Sequence, residues 1–294
     1  MSLIKPFLQE EAFLQDLQNA TGSERVLHIW WLGQSGFLLE WQSRFLLFDP
    51  YLSDSLTKKY AATSKPHIRM TERVVAPERL DFVEVATSSH NHTDHLDGET
   101  LCPLMEVNSD LQLVIPEANR AFVAERLGCD LSWPVGLDDG DYREVDAFRF
   151  HGIAAAHEEL ERDEEGQCKF LGYVVHFGPW TVYHSGDTVH YSGLVERLTP
   201  YNVDVAILPI NGSKPERKVA GNLNGIEAAT LACAINAKLA IPCHYEMFTF
   251  NTAPPDTFIA AATALEQPVR VLEAGERCTV EKSAAGVMTV RSSA

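Results

Sequence analysis

Basic residues are scarce in this chain. Its 294 residues carry 24 Lys+Arg against 41 Asp+Glu, a formal net charge of −17. Such a surface repels polyanions and excludes general nucleic-acid binding, although a local basic pocket is enough for a small phosphorylated substrate. No apolar run approaches the roughly 20 residues of a membrane span. The start, Met1-Ser2-Leu3-Ile4-Lys5-Pro6, lacks the apolar segment of a signal peptide. Cys102, Cys129, Cys168, Cys233, Cys243 and Cys278 form no CxxC pair and read as reduced thiols. These absences predict a cytoplasmic protein that meets neither membrane nor nucleic acid, and the Asn-x-Ser/Thr triplets at Asn19, Asn91 and Asn211 read as chance matches. No Pro-, Gly- or Ser-rich linker interrupts the chain. With 45% hydrophobic residues it is expected to form one domain over 1–294 with a substantial core.

Periodicity predicts a helix over 6–18, then strands over Val26–Leu32, Phe37–Trp41 and Phe45–Phe48, separated by the turn-like Gly33-Gln34-Ser35-Gly36 and Gln42-Ser43-Arg44. Residues 51–80 read as a long polar connection with Lys58, Lys59, Lys65, His67 and Arg69, either solvated or a lid whose Arg69 or His67 meets an anionic substrate. Strands and helices then alternate. Strands are expected over Phe82–Thr87, Gln112–Ile115, Tyr142–Phe150, Lys169–Phe177, Trp180–His184, Asp204–Pro209, Leu239–Pro242 and within Val269–Arg291. Helices are expected over Gly98–Met105, Glu117–Leu127, Ile226–Ala237 and Phe258–Leu265.

The densest chemistry lies in Ser89-His90-Asn91-His92-Thr93-Asp94-His95-Leu96-Asp97-Gly98. His90 and His92 stand two apart, so on an extended backbone they leave one face. Asp94 and His95 follow at once, which requires a turn and places a second pair of ligands beside the first. Imidazole and carboxylate at this density suit a transition-metal site at the end of a strand. Further elements follow other strands: Ala156-His157-Glu158, Ser185-Gly186-Asp187 and Cys243-His244-Tyr245. His157 does not open a HExxH helix, because Glu161 stands where the second histidine is needed. A carboxylate such as Asp187 between two cations offsets their repulsion. Cys243 reads as a small buried residue.

His90-x-His92-x-Asp94-His95 resembles the HxHxDH element of the metallo-β-lactamase superfamily, and His157, Asp187 and His244 resemble its later ligands in order. The resemblance implies the αββα four-layer sandwich of the metallo-β-lactamase fold. It also implies two divalent ions, zinc or manganese with iron as the alternative. One would take His90, His92, His157 and Asp187; the other would take Asp94, His95, His244 and Asp187. Asp94 is then the catalytic carboxylate, Asp49 supports the site from beneath, and His184 and His190 stand behind the ligands. Trp30-Trp31-Leu32-Gly33-Gln34-Ser35-Gly36, with Tyr183-His184-Ser185-Gly186-Asp187 and His190-Tyr191-Ser192, resembles the branch of L-ascorbate-6-phosphate lactonase, the UlaG-like hydrolases. That branch implies hydrolysis of a lactone or ester of a small anionic substrate, and an oligomer. A phospholipase D-like phosphodiesterase and an iron-dependent oxidoreductase are the alternatives. Arg69, Asn211 and Lys214 are the candidate substrate contacts.

Overall fold

The computed structural model describes residues 2–20, 22–217 and 219–292. Its strands form two mixed sheets. The first contains β1 (Val26–Gly33), β2 (Gly36–Trp41), β3 (Arg44–Phe48), β4 (Val85–Thr87), β5 (Gln112–Pro116) and β6 (Val135–Leu137). The second contains β7 (Tyr142–Val145), β8 (Phe148–Ala154), β9 (Leu171–Phe177), β10 (Trp180–His184), β11 (Val205–Pro209) and β12 (Leu239–Cys243). The chain then returns to the first sheet, adding β13 (Arg277–Lys282) beside β1 and β14 (Met288–Ser292) at the edge.

Each sheet opens with antiparallel hairpins and ends in parallel strands. The β2–β3 turn holds Gln42 and Ser43 both at positive φ, 52° and 61°, the twist a two-residue hairpin needs. From β3 to β6 the pairing is parallel, with α3 (Gly98–Val107) and α4 (Arg120–Leu127) as crossovers. In the second sheet β10, β11 and β12 are parallel, and α6 (Gly225–Ala234) covers β11 and β12 with α7 (Asp256–Ala264) beside it. The other helices are α1 (Glu11–Asn19), α2 (Ser55–Tyr60) and α5 (Leu194–Leu198). The result is the expected metallo-β-lactamase sandwich. Rings close the sheet interface: Phe48 stacks on buried His184 at 4.7 Å and 4°, and the partly buried Trp41 meets Phe177 at 5.8 Å.

Several boundaries differ from the sequence expectation for local reasons. The strand expected over Tyr142–Phe150 is a hairpin, β7 and β8, because Asp146 turns at φ 54°. The first helix begins only at Glu11, after Glu10 at φ 46°. The polar connection contains α2, and only Val85–Thr87 of the expected fourth strand is paired. Strands within Val269–Arg291 start at Arg277. Gly128 caps α4 at φ 65° as its composition requires.

Candidate metal centre

Four loops leave the carboxyl ends of strands at one edge of the sandwich. The loop after β4 carries His90, His92, Asp94 and His95. Those after β8, β10 and β12 carry His157, Asp187 and His244. Backbone bonds tie these loops to one another, to β9 and to the β1–β2 turn. Leu171 N–H donates to the Ser89 carbonyl at 3.0 Å, Val189 N–H to that of Ala156 at 2.7 Å, and His244 N–H to that of Gln34 at 3.1 Å.

The side chains converge as two sets that share one carboxylate. His90, His92 and His157 offer atoms within 4.8 Å of one another, as do Asp94, His95 and His244, and as do His90, His95 and Asp187. Asp187 stands between the sets. Its Oδ1 lies 3.0 Å from His244 Nε2 and 3.3 Å from His95 Nε2, while its Oδ2 lies 3.7 Å from His157 Nε2.

Groups behind the ligands fix which nitrogen faces inward. Asp49, fully buried, accepts from His95 Nδ1 at 2.7 Å, from Thr87 Oγ1 at 2.7 Å, and from the Ser89 amide and hydroxyl. With its proton directed at Asp49, His95 turns Nε2 to the site. His90 directs Nδ1 at Ser89 Oγ (3.0 Å), and His157 directs Nδ1 at the Gly221 carbonyl (2.9 Å). The inward atoms His90 Nε2, His95 Nε2 and Asp187 Oδ1 are buried without a hydrogen-bond partner among the described residues. Lone pairs aimed at one another this closely need a cation between them, and the imidazole–carboxylate set suits a divalent transition metal. The residues present therefore fit the metal that their chemistry implies.

The electrostatics point the same way. Burial alone would discharge His95, but the Asp187 and Asp94 carboxylates, with the Asp49 hydrogen bond, hold its pKa well above the ordinary histidine value. Burial would raise Asp187, yet His244 and His95 bring it well below the usual carboxylate range. His90 is held neutral, mainly by burial. The spot favours positive charge at His95, between the Asp187 and Asp94 carboxylates, beside a neutral His90.

A pocket of about 470 Å³ opens over these ligands. Asp94 and Asp187 are the carboxylates that line it, whereas Lys59, Lys65 and Arg126 bring positive charge. Lys59 Nζ reaches Thr93 Oγ1 at 3.3 Å, and Arg126 Nη1 donates to the Asn91 and Leu96 carbonyls at 2.8 and 3.0 Å. Both cations thus flank the His92 segment. His67 lines the pocket from the long connection, with its ring stacked on Tyr60 at 4.4 Å.

Other expected site residues lie elsewhere. Arg69 faces inward, with Nε on Asp54 at 2.7 Å and Nη1 on the Thr71 carbonyl at 3.0 Å, and it does not line the pocket. It pins the connection in place. Asn211 is buried behind Asn251, to which it donates at 3.0 Å. Lys214 and His190 are exposed and are not among the pocket residues. His184 is buried beneath the Asp187 loop. It donates through Nε2 to the Ser35 carbonyl (3.0 Å) and accepts at Nδ1 from Gly186 N–H (3.3 Å). The residues that sequence reasoning did not assign to the site are Gln34, Ser89 and Arg126, while Lys59 and Lys65 were read only as part of the basic connection. A polar Gln beside a glycine, joining strands as apolar as β1 and β2, was the available signal for Gln34.

Residues 28–244, which include every ligand above, match the family model of the β-lactamase superfamily domain. The chain belongs to the β-lactamase superfamily. Among superfamily relatives, it is 30% identical over 261 residues to a UPF0173 metal-dependent hydrolase of Opitutus terrae, covering 86% of this chain and 100% of that one. A UPF0173 metal-dependent hydrolase of Caldivirga maquilingensis is 27% identical over 247 residues, covering 82% and 92%. Of solved structures, an isothiocyanate hydrolase from Delia radicum gut bacteria superposes with a TM-score of 0.66 at 18% identity, over 85% of this chain and 98% of that one. This superfamily member therefore shares its fold with hydrolases that differ widely in sequence.

Proposed function

We propose that the protein is a metal-dependent hydrolase that opens a lactone or ester of a small anionic, sugar-phosphate-like substrate, such as L-ascorbate 6-phosphate. The observation that carries this reading is the convergence of seven side chains of metal-ligand chemistry, five of which line a pocket whose rim is cationic in a chain of net charge −17. His90, His92 and His157 would hold one divalent ion, Asp94, His95 and His244 a second, and Asp187 would bridge them. Zinc or manganese suits this donor set, and iron is the alternative. Bound there, such ions supply Lewis acidity and bring the pKa of water toward neutrality.

The chain's own groups do the rest. Asp94 belongs to the ligand set and also lines the open pocket. It is the carboxylate placed to orient the attacking water, or to take the proton that this water releases and pass it to the leaving oxygen. Lys59, Lys65 and Arg126 hold the substrate's anionic end at the Asn91–Thr93 rim and so place the scissile bond over the floor. Replacing Asp187 with Ala is expected to remove both metal and activity; retained dinuclear metal would overturn its bridging role.

Elemental analysis of protein purified without chelator, with the same sample assayed on phosphorylated lactones and on phosphodiesters, tests the reading. Two equivalents of zinc or manganese with chelator-sensitive lactone turnover is the expected result. Turnover of phosphodiesters alone would make it a phospholipase D-like enzyme. Iron without hydrolysis would make it an oxidoreductase.

A further inference from the structure

Gln34 occupies the β1–β2 turn, between Gly33 and Ser35, with its backbone in the left-handed region at φ 51°. Asn and Gly adopt that conformation most readily, so a glutamine there is mildly strained. It is also fully buried. Its main chain is committed twice, since the Gln34 carbonyl accepts from His244 N–H at 3.1 Å and from Trp31 Nε1 at 3.0 Å. Its side chain then turns into the centre. The carboxamide nitrogen lies 2.8 Å from Asp94 Oδ2, and 3.2 and 3.3 Å from the two ring nitrogens of His244. A carboxylate only accepts, so the end of the carboxamide facing Asp94 is the NH₂ group. Gln34 Oε1 is buried without a partner among the described residues. A turn needs neither this burial nor this reach.

We propose that Gln34 is the positioning residue of the Asp94–His95–His244 half of the centre. By donating to Asp94 Oδ2 it fixes the carboxylate that also faces the pocket, and through its carbonyl, which accepts from His244 N–H, it ties the His244 backbone to the β1–β2 turn. Gln34 touches none of the groups behind the first half, which are Ser89 behind His90 and the Gly221 carbonyl behind His157. The two halves are therefore separable by substitution. This inference rests on the two-ion reading above.

The experiment uses Gln34→Asn and Gln34→Ala in the full chain. Asn keeps the carboxamide and tolerates the left-handed backbone, but is one methylene too short to reach Asp94. Manganese or zinc binding to metal-free protein is followed by calorimetry, alongside thermal unfolding and turnover. Both variants should bind the first equivalent as the unsubstituted protein does and the second about 10–100-fold more weakly, the usual cost of losing a group that orients a ligand. Turnover should fall through kcat with little change in KM. Wild-type affinity for both equivalents, with only a lower melting temperature, would leave Gln34 a plain turn residue and overturn the proposal. Equal weakening of both equivalents would overturn the assignment to one half. An unsubstituted chain that takes up fewer than two equivalents would remove the two-ion reading itself, a failure visible before any variant is made.

Discussion

Asp49 offers no atom to the metal set, yet three of its neighbours depend on it. Its carboxylate accepts from His95, Thr87 and Ser89, and the Ser89 hydroxyl in turn meets His90 Nδ1. Asp49→Asn keeps the shape but replaces an acceptor with a donor, so either His95 or Ser89 loses its partner. The expected cost is about 10–100-fold in metal affinity, read by competition with a chelator of known strength. Asp49 also sits at φ 36°, as Gln34 and His244 sit at φ 51° and 66°. Three side-chain-bearing residues in the left-handed region around one site mark backbone held off its optimum, at about 1–3 kcal/mol each. His184 gives a residue-scale pH dependence. Burial lowers its pKa below the ordinary histidine value, and its two hydrogen bonds fit the neutral ring. The unfolded chain takes up this proton as pH falls through about 6.5, while the folded ring resists. The unfolded state then binds more protons, so stability is present above that pH and is lost below it. Between about pH 7.5 and 5.5, metal-free His184→Gln should lose less unfolding free energy than the metal-free unsubstituted protein, whatever His95, whose raised pKa acts in the opposite sense, adds to both. Parallel slopes would clear His184 of the effect.

At the scale of elements, the ligand loops were legible because each follows a strand whose pattern is strong. Hydrophobic runs such as Trp180–His184 and Leu239–Pro242 end where a polar, ligand-bearing tail begins, and the change in residue chemistry marks the boundary without any knowledge of the fold. Arg69 was misplaced for the opposite reason. In a long polar connection nothing local tells a guanidinium bonded to Asp54 and Thr71 from one that faces a substrate. Arg126 went unseen because its meaning lies in packing: it belongs to α4 and meets the His92 loop only across a crossover. The hairpin at Asp146 was hidden because one residue at positive φ is enough to turn the chain. Loop placement also sets a limit on substitution. A methyl group at Gly186 would lie 2.6 Å from Ser89 Cβ, at a residue whose φ is 58°. Gly186→Ala should therefore push the Asp187 loop away from the His90 loop. It is expected to lower the unfolding free energy by about 1–3 kcal/mol and to weaken metal binding, measured by denaturant titration and calorimetry. Wild-type values for both would show that the loops can part without cost.

Across the whole molecule, the ligand set depends on both sheets. His90, His92, Asp94 and His95 follow a strand of the first sheet, and His157, Asp187 and His244 follow strands of the second. One contiguous core running from Phe13 to Val280 keeps the two in register. The charge balance acts at this scale as well. The sequence pI is near 5.0, so solubility should pass through a minimum near that pH, where self-repulsion vanishes. Light scattering across a pH series checks this, and a minimum well above it would mean that the surface carboxylates are not titrating freely. The return of the C-terminal hairpin to the first sheet has a consequence for the order in which the protein is made. Every ligand has been synthesised once His244 is in place, but β1 still lacks its outer neighbour, because Val26–Trp30 pair with Arg277–Glu281. Until Arg277–Glu281 have been made, an apolar strand is left with one open edge. A chain cut after His244 would thus hold all seven ligand residues and still leave that side of β1 open to another copy of itself, and pairing with β13 closes it.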